Sequence, residues 1–181
     1  IFIDKTEYSY LKKEGPLINN LLIKNLGFNE DNINFDNISE EKINFLADSI
    51  EVNLGNRRVL IKNLGIAHTK GDLIAYDFNT NTYITGDVIF IGRAAAFSDA
   101  NIPMWINVIN NKLDLSWDYL IPGHGSIINN KLELNDTKNW LYFLDNAAKQ
   151  AVSEGDMISE IFQYPIPKEI HHLKMKSITL R

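Results

Sequence analysis

Hydrophobic and polar positions along this chain change their period twice, and the changes mark its elements. Ile1-Phe2-Ile3 is a short apolar run that reads as a buried strand. Asp4 or Thr6 is placed to cap a helix through Tyr8, Leu11 and Lys12, with Gly15-Pro16 as its stop. Leu17, Leu21, Leu22 and Leu26 then recur at helical spacing and predict a second helix, ended at Gly27. Phe28 to Glu41 is rich in Asn and Asp and reads as a loop. From Ser49 the period is two. Ile50, Val52 and Leu54 alternate with Glu51 and Asn53, Gly55-Asn56 turns the chain, and Arg57 to Leu64 runs back as a β-hairpin. Leu73 to Phe78 and Thr82 to Thr85, joined across Asn79-Thr80-Asn81, form a second hairpin that Val88 to Phe90 extends.

Gly92 to Asn101 reads as a loop with small residues at Ala94 to Ala96. Pro103 fits the first turn of a helix whose Trp105, Val108, Ile109 and Leu113 face inward. Trp117 to Ile121 is a short strand terminated by Pro122-Gly123. Asn135 or Asp136 is expected to cap a long helix with Trp140, Leu141, Leu144, Ala148, Ala151 and Val152 along one side, closing at Gly155. A shorter helix is expected over Met157 to Phe162, and Pro165 and Pro167 break the tail. Hairpins followed by strand and helix alternation predict a sheet covered by helices, α/β or α+β, and not purely parallel. Nothing in the pattern divides the chain, so residues 1–181 are read as a single domain.

Composition narrows the classes. The chain has 181 residues, 45% of them apolar and 23% charged, enough for one sizeable core. A net charge of −5 without a basic stripe argues against a nucleic-acid partner. No run approaches the roughly 18 apolar residues of a spanning helix, which argues against a membrane partner. The absence of cysteine excludes disulfides and Cys-ligated zinc, and leaves the compartment, cytoplasmic or periplasmic, undetermined. Ile1 follows no Met, basic region or signal-like segment, so the chain reads as a fragment or a processed protein.

Three residues stand where ordinary core packing does not ask for them. His68 follows the apolar strand Val59 to Leu64; Asp87 ends a hairpin strand after Gly86; His124 lies between two glycines after a strand. Each alone has an ordinary alternative: a loop histidine bonded to backbone, a turn or cap aspartate, a turn histidine. Together, two imidazoles and a carboxylate at strand ends are a ligand set for zinc, or for iron or manganese. A carboxylate has two oxygens, so Asp87 can bridge two ions, and ions about 3.5–4 Å apart can hold a hydroxide between them. Three ligands do not fill two metal sites. Asp72 is either a support for the ligand loop or a strand-entry cap, and Arg93 either orients an anionic substrate or pairs with a surface acid. Phe97 lines a pocket mouth or simply packs. His171-His172 read as a solvated pair, and Trp105, Trp117 and Trp140 as core.

The segments AHTKGDLIAYD, TGDVIFIGR and IPGHG resemble the C-terminal half of the metallo-β-lactamase superfamily, most nearly its SoxH-like, quinoprotein-relay-type hydrolases. The likeness covers Ser49 to Gly125 well and Ile1 to Gly27 more loosely. It implies an α+β fold, the αββα metallo-β-lactamase-like sandwich, lacking its N-terminal part. By this match His68 corresponds to the later histidine of the first metal, Asp87 to the bridging and catalytic carboxylate, and His124 to the last ligand of the second metal. It further implies two zinc ions in the complete domain. A metal-bound hydroxide would there attack an ester, thioester, amide or related bond of a small-molecule substrate. The family's early His-x-His-x-Asp-His motif is absent from this chain, which agrees with truncation. The resemblance therefore leads us to expect a chain that is inactive alone, completed by a missing N-terminal segment or associated as a homo-oligomer. A catalytically silent binding or assembly module is the alternative. The lack of cysteine separates the chain from lactamases with a cysteine ligand and points to the broader hydrolase branch.

Overall fold

The computed structural model describes residues 1–26, 40–113, 116–157, 160 and 164–176. Its main feature is a five-stranded sheet in the order β3 (Ser49–Asn53), β4 (Arg58–Gly65), β5 (Asp72–Asp77), β6 (Thr82–Phe90) and β7 (Tyr119–His124). The first four strands run antiparallel as two linked hairpins, and β7 returns parallel to β6. That return needs a crossover, supplied by helix α2 (Ile102–Asn111). Asn101 caps α2 by accepting the Met104 N–H at 3.1 Å, with Pro103 in the first turn as expected.

Register divides the sheet into two unlike faces. Leu60, Tyr76, Tyr83 and Leu120 are paired across four strands; Tyr83 and Leu120 join the core with Ile74 and Leu64, and Tyr76 packs against it. Trp105, Val108 and Ile109 of α2 and Trp140 and Leu141 of α3 (Asn135–Glu154) complete that core. One residue along, Ile50, Ile61, Ala75, Ile84 and Ile121 are paired across all five strands and project to the opposite side. There Ile50 is 39% and Ile84 44% exposed.

A second, two-stranded sheet pairs β1 (Phe2–Ile3) in parallel with β2 (Asn44–Phe45). The expectation of a buried strand at Ile1-Phe2-Ile3 is corrected: Ile1 is exposed and the other two are half-buried. Two strands alone cannot enclose their own side chains. Asn63 fastens this small sheet to the large one. Its side-chain amide donates at 2.7 Å to both Asp4 Oδ2 and the Leu46 carbonyl.

The stop expected at Gly15-Pro16 does not hold, because a single helix α1 spans Lys5–Leu26. Proline removes one hydrogen bond and crowds one carbonyl, a cost of about 3 kcal/mol, but the ladder resumes on either side. Asp4 does cap this helix, accepting from the Thr6 and Glu7 N–H groups. Burial pushes its carboxyl up, but those donors and the Asn63 amide hold it below the usual range. Gly27 and most of Phe28 to Glu41 lie outside the described residues, as do the side chains of Leu21, Leu22 and Leu26. So does most of the helix expected over Met157 to Phe162.

Two further boundaries differ from expectation. β7 runs through Pro122-Gly123 to His124; it is an edge strand, where proline's missing donor faces no neighbour. Asn135 and Asp136 do not cap α3. The cap position is Leu134, with a 3-10 turn over Lys131–Leu134 before it, and Asp136 bonds elsewhere. The buried stripe of α3 is Thr137, Trp140, Leu141, Phe143, Leu144, Ala147 and Ala151, leaving Ala148 outside and Val152 84% exposed. The helix does close at Gly155, whose φ of 77° and N–H to the Ala151 carbonyl make a left-handed cap. No described helix is long and apolar enough to cross a membrane.

Candidate metal centre

Asp87 and His124 meet where β6 and β7 end side by side. The register between these strands slips between Ile84 and Gly86 and again before Phe90, so Asp87 stands in an irregular stretch. Such a slip re-aims a side chain that a regular ladder would hold on one face. His124 Nε2 lies 3.6 Å from Asp87 Oδ1, and each side chain is about 40% exposed (43% and 40%). That separation is longer than a hydrogen bond, yet short enough for both donors to reach one cation. Two glycines keep the place open. A Cβ at Gly123 would fall 2.0 Å from Asp87 Oδ1, and one at Gly125, whose φ is 103°, would fall 2.3 Å from the Ile91 carbonyl.

His68 sits in the loop between β4 and β5, held by Asn101 N–H to the Ala67 carbonyl at 2.9 Å. Its ring meets Trp105 edge-on at 5.1 Å and Phe90 at 5.7 Å. Its Nδ1 is buried and has no hydrogen-bond partner. An imidazole nitrogen left unpaired inside a fold costs about 1–3 kcal/mol, which a bound cation would relieve. Phe90 is the shared neighbour, since His124 stacks on the same ring at 5.0 Å. The structure thus brings Asp87 and His124 together and sets His68 against the Phe90 ring on which His124 stacks. Among the described residues no three His, Cys, Asp or Glu groups converge closely enough to hold a metal ion. The donor chemistry fits zinc at Asp87 and His124, and the set is partial.

Asp72 braces the His68 loop. Its Oδ2 accepts the Thr69 N–H at 2.9 Å and its Oδ1 the Thr69 hydroxyl at 3.0 Å. Helix α1 backs the same loop through Glu7, which accepts the Lys70 N–H at 3.0 Å. Burial pushes the Glu7 carboxyl up; the Lys70 N–H pulls it down and the Asp72 charge adds to the rise. Arg93 follows Gly92 beyond the end of β6, with its guanidinium carbon 6.0 Å from the Phe90 ring centroid. Phe97 is half-buried against the core. His171 and His172, read as a solvated pair, do have partners: the Ile166 carbonyl and Asp136 Oδ1, each at 2.8 Å. Of the tryptophans, Trp105 and Trp140 are core residues whose indoles donate to the Val88 and Ala95 carbonyls, and Trp117 is buried with its Nε1 unpartnered.

Sequence reasoning missed two residues of this region. Phe90 reads as one more apolar residue of a strand, and only its pairing with His124 shows that it seats both imidazoles. Thr137 looks like a polar interruption of a helix. Its hydroxyl accepts the Phe90 N–H at 2.9 Å and donates to the Phe90 carbonyl at 2.7 Å, fixing the backbone that carries that ring.

No family model and no curated protein matches the sequence. Solved structures do. The metallo-beta-lactamase IND-7 is similar with a TM-score of 0.56 at 16% identity, over 78% of this chain and 56% of that one. The stereoselective inverting sec-alkylsulfatase Pisa1 from Pseudomonas sp. gives a TM-score of 0.58 at 16% identity, over 72% of this chain and 23% of that one. A metallo-beta-lactamase from Pontibacter korlensis overlaps 56% of this chain and 48% of its own length, at 17% identity and a TM-score of 0.47. The chain spans from about a quarter to just over half the length of these structures. Identities this low speak to fold, and the fold this chain shares with IND-7 and Pisa1 is that of the metallo-β-lactamase superfamily.

Proposed function

We propose that this chain carries the later ligands of a metal-dependent hydrolase, with Asp87 and His124 as donors to zinc and His68 as a third. The observation that carries this reading is the Asp87–His124 pair, 3.6 Å apart, with Gly123 leaving no Cβ to displace the Asp87 carboxylate. Zinc bound at such a place would supply an acidified water and a Lewis acid for an ester, thioester, amide or related bond. The chain's own part is positional. Phe90 seats two imidazoles, Thr137 fixes Phe90, and Asp72 holds the His68 loop. The likeness of fold to a lactamase and to an alkylsulfatase supports hydrolysis as the class and leaves the bond open, since one fold hosts many chemistries.

Zinc titration with metal analysis of the 181-residue chain tests this. One weakly held ion per chain is expected, lost on Asp87→Ala or His124→Ala. No zinc at all would overturn the metal reading; two tight ions would overturn the view that the ligand set is partial. A second reading is a silent binding or assembly module, completed by another segment or another copy. It is favoured by the apolar row Ile50, Ile61, Ala75, Ile84 and Ile121, two of whose members are well exposed. Zinc-independent self-association that Ile84→Thr abolishes would support it.

A further inference from the structure

Arg93 and Lys174 are partners in an isolated parallel bridge just beyond the end of β6. The Ala94 N–H donates to the Lys174 carbonyl at 2.8 Å, and the Lys174 N–H to the Gly92 carbonyl at 3.0 Å. Residues paired in this way put their side chains on one side, and like charges placed opposite each other repel. Neither forms an ion pair among the described residues, although four lysines or arginines pair with carboxylates elsewhere. Arg93 Nε is buried with no partner. The adjacent carboxylate, Asp136, is already engaged: its Oδ1 meets His172 Nε2 at 2.8 Å and its Oδ2 the Gly92 N–H at 2.7 Å. Two unneutralised cations on a rigid backbone, one with a buried donor unsatisfied, are what an oxyanion site requires. Arg93 also lies over the Phe90 ring on which His124 stacks, at the rim of the proposed metal centre.

We infer that Arg93 and Lys174 form an oxyanion-binding site beside Asp87 and His124, and that the substrate carries a carboxylate, sulfate or phosphate group. The substrate half of this rests on the reading of Asp87 and His124 as the reaction centre; the anion site itself does not. Inorganic sulfate and, separately, acetate are titrated calorimetrically into the 181-residue chain with and without zinc. At least one should bind saturably, sulfate marking a preference for a tetrahedral oxyanion and acetate for a planar one. Arg93→Gln should weaken binding about tenfold, as expected for one charge-assisted hydrogen bond. Lys174→Gln should weaken it several-fold, and Lys149→Gln, on α3, should leave it unchanged. Lys174 is exposed, so its variant keeps the fold and decides the matter if Arg93→Gln does not fold. No saturable binding, or binding indifferent to both substitutions, overturns the site. Anion binding that needs Arg93 in a chain that takes no zinc would retain the site and reject the metal reading. Zinc binding without anion binding would do the reverse.

Discussion

The two faces of the five-stranded sheet are built from neighbouring residues and have opposite fates. Tyr83 and Leu120 face the helices and are buried, whereas Ile84 and Ile121, the next residue along each strand, face the other way. The alternation of a strand makes this division strict, because a shift of one residue would exchange the faces entirely. Both rows are apolar, so hydrophobicity alone does not distinguish them. What distinguishes them is cover. α2 and α3 lie on one face, and on the other, among the described residues, Asn63 ties in the small β1–β2 sheet at one end. The helix-covered face positions a candidate ligand, since Trp105 and Phe90 belong to its core and pack on His68.

The largest expected effect tests the covered face. Trp105 is wholly buried, donates to the Val88 carbonyl at 2.9 Å and packs on His68. Trp105→Ala should cost about 3–5 kcal/mol in denaturant unfolding. A loss below about 1 kcal/mol would mean that α2 is not seated on the sheet as described.

Thr137→Val comes next. The substitution keeps the shape of the side chain but leaves the Phe90 N–H without its acceptor, a loss of about 1–3 kcal/mol. If Phe90 seats the imidazoles, zinc affinity should fall along with stability. Equal zinc affinity in a destabilised Thr137→Val chain would show that Phe90 serves the core alone.

The difference between the faces also explains what could be read in advance. Both hairpins and the inward side of α2 were legible because their signals are local: alternation, turn residues, and an Asn-x-Pro start. The candidate ligands were legible as residue types at strand ends. The continuity of α1 through Pro16 was not, because a helix breaker weighs heavily in a local reading. The stripe of α3 was misphased at Ala148 and Val152, since a helix 20 residues long drifts from any fixed spacing. Phe90, Thr137 and Lys174 were missed because their roles exist only in pairings between distant segments. Thr137 lies 47 residues from Phe90 in sequence.

A pH series probes the edge between the two faces. Asp77 shares the register row of Val59 and Thr82, and its carboxylate folds onto its own turn. The Asn79 N–H holds its carboxyl below the usual range against the opposing effect of burial, helped by the Thr80 hydroxyl and the Arg57 charge. A depressed folded value means that the stabilisation is complete above the unfolded carboxylate range. It is lost as the pH falls through the folded value. Asp77→Asn should therefore be less stable than the parent at pH 7, with the gap closing in acid. A gap that stays constant between about pH 7 and pH 2 would assign the effect to packing.

The smallest expected effect is the most informative about the open face. Ile84 is 44% exposed, and Thr keeps both the branching at Cβ and the strand propensity. On an isolated chain Ile84→Thr should cost no more than about 1 kcal/mol, against about 2–5 kcal/mol for Leu120→Ala on the covered row. The comparison breaks if the two losses are equal, for then Ile84 is buried in solution by something other than the described residues of one chain. A dependence of that loss on protein concentration would name the cover as a second copy, because association stabilises only in proportion to the partner present. A loss that is small at every concentration would instead show that no second copy covers the Ile50–Ile121 row.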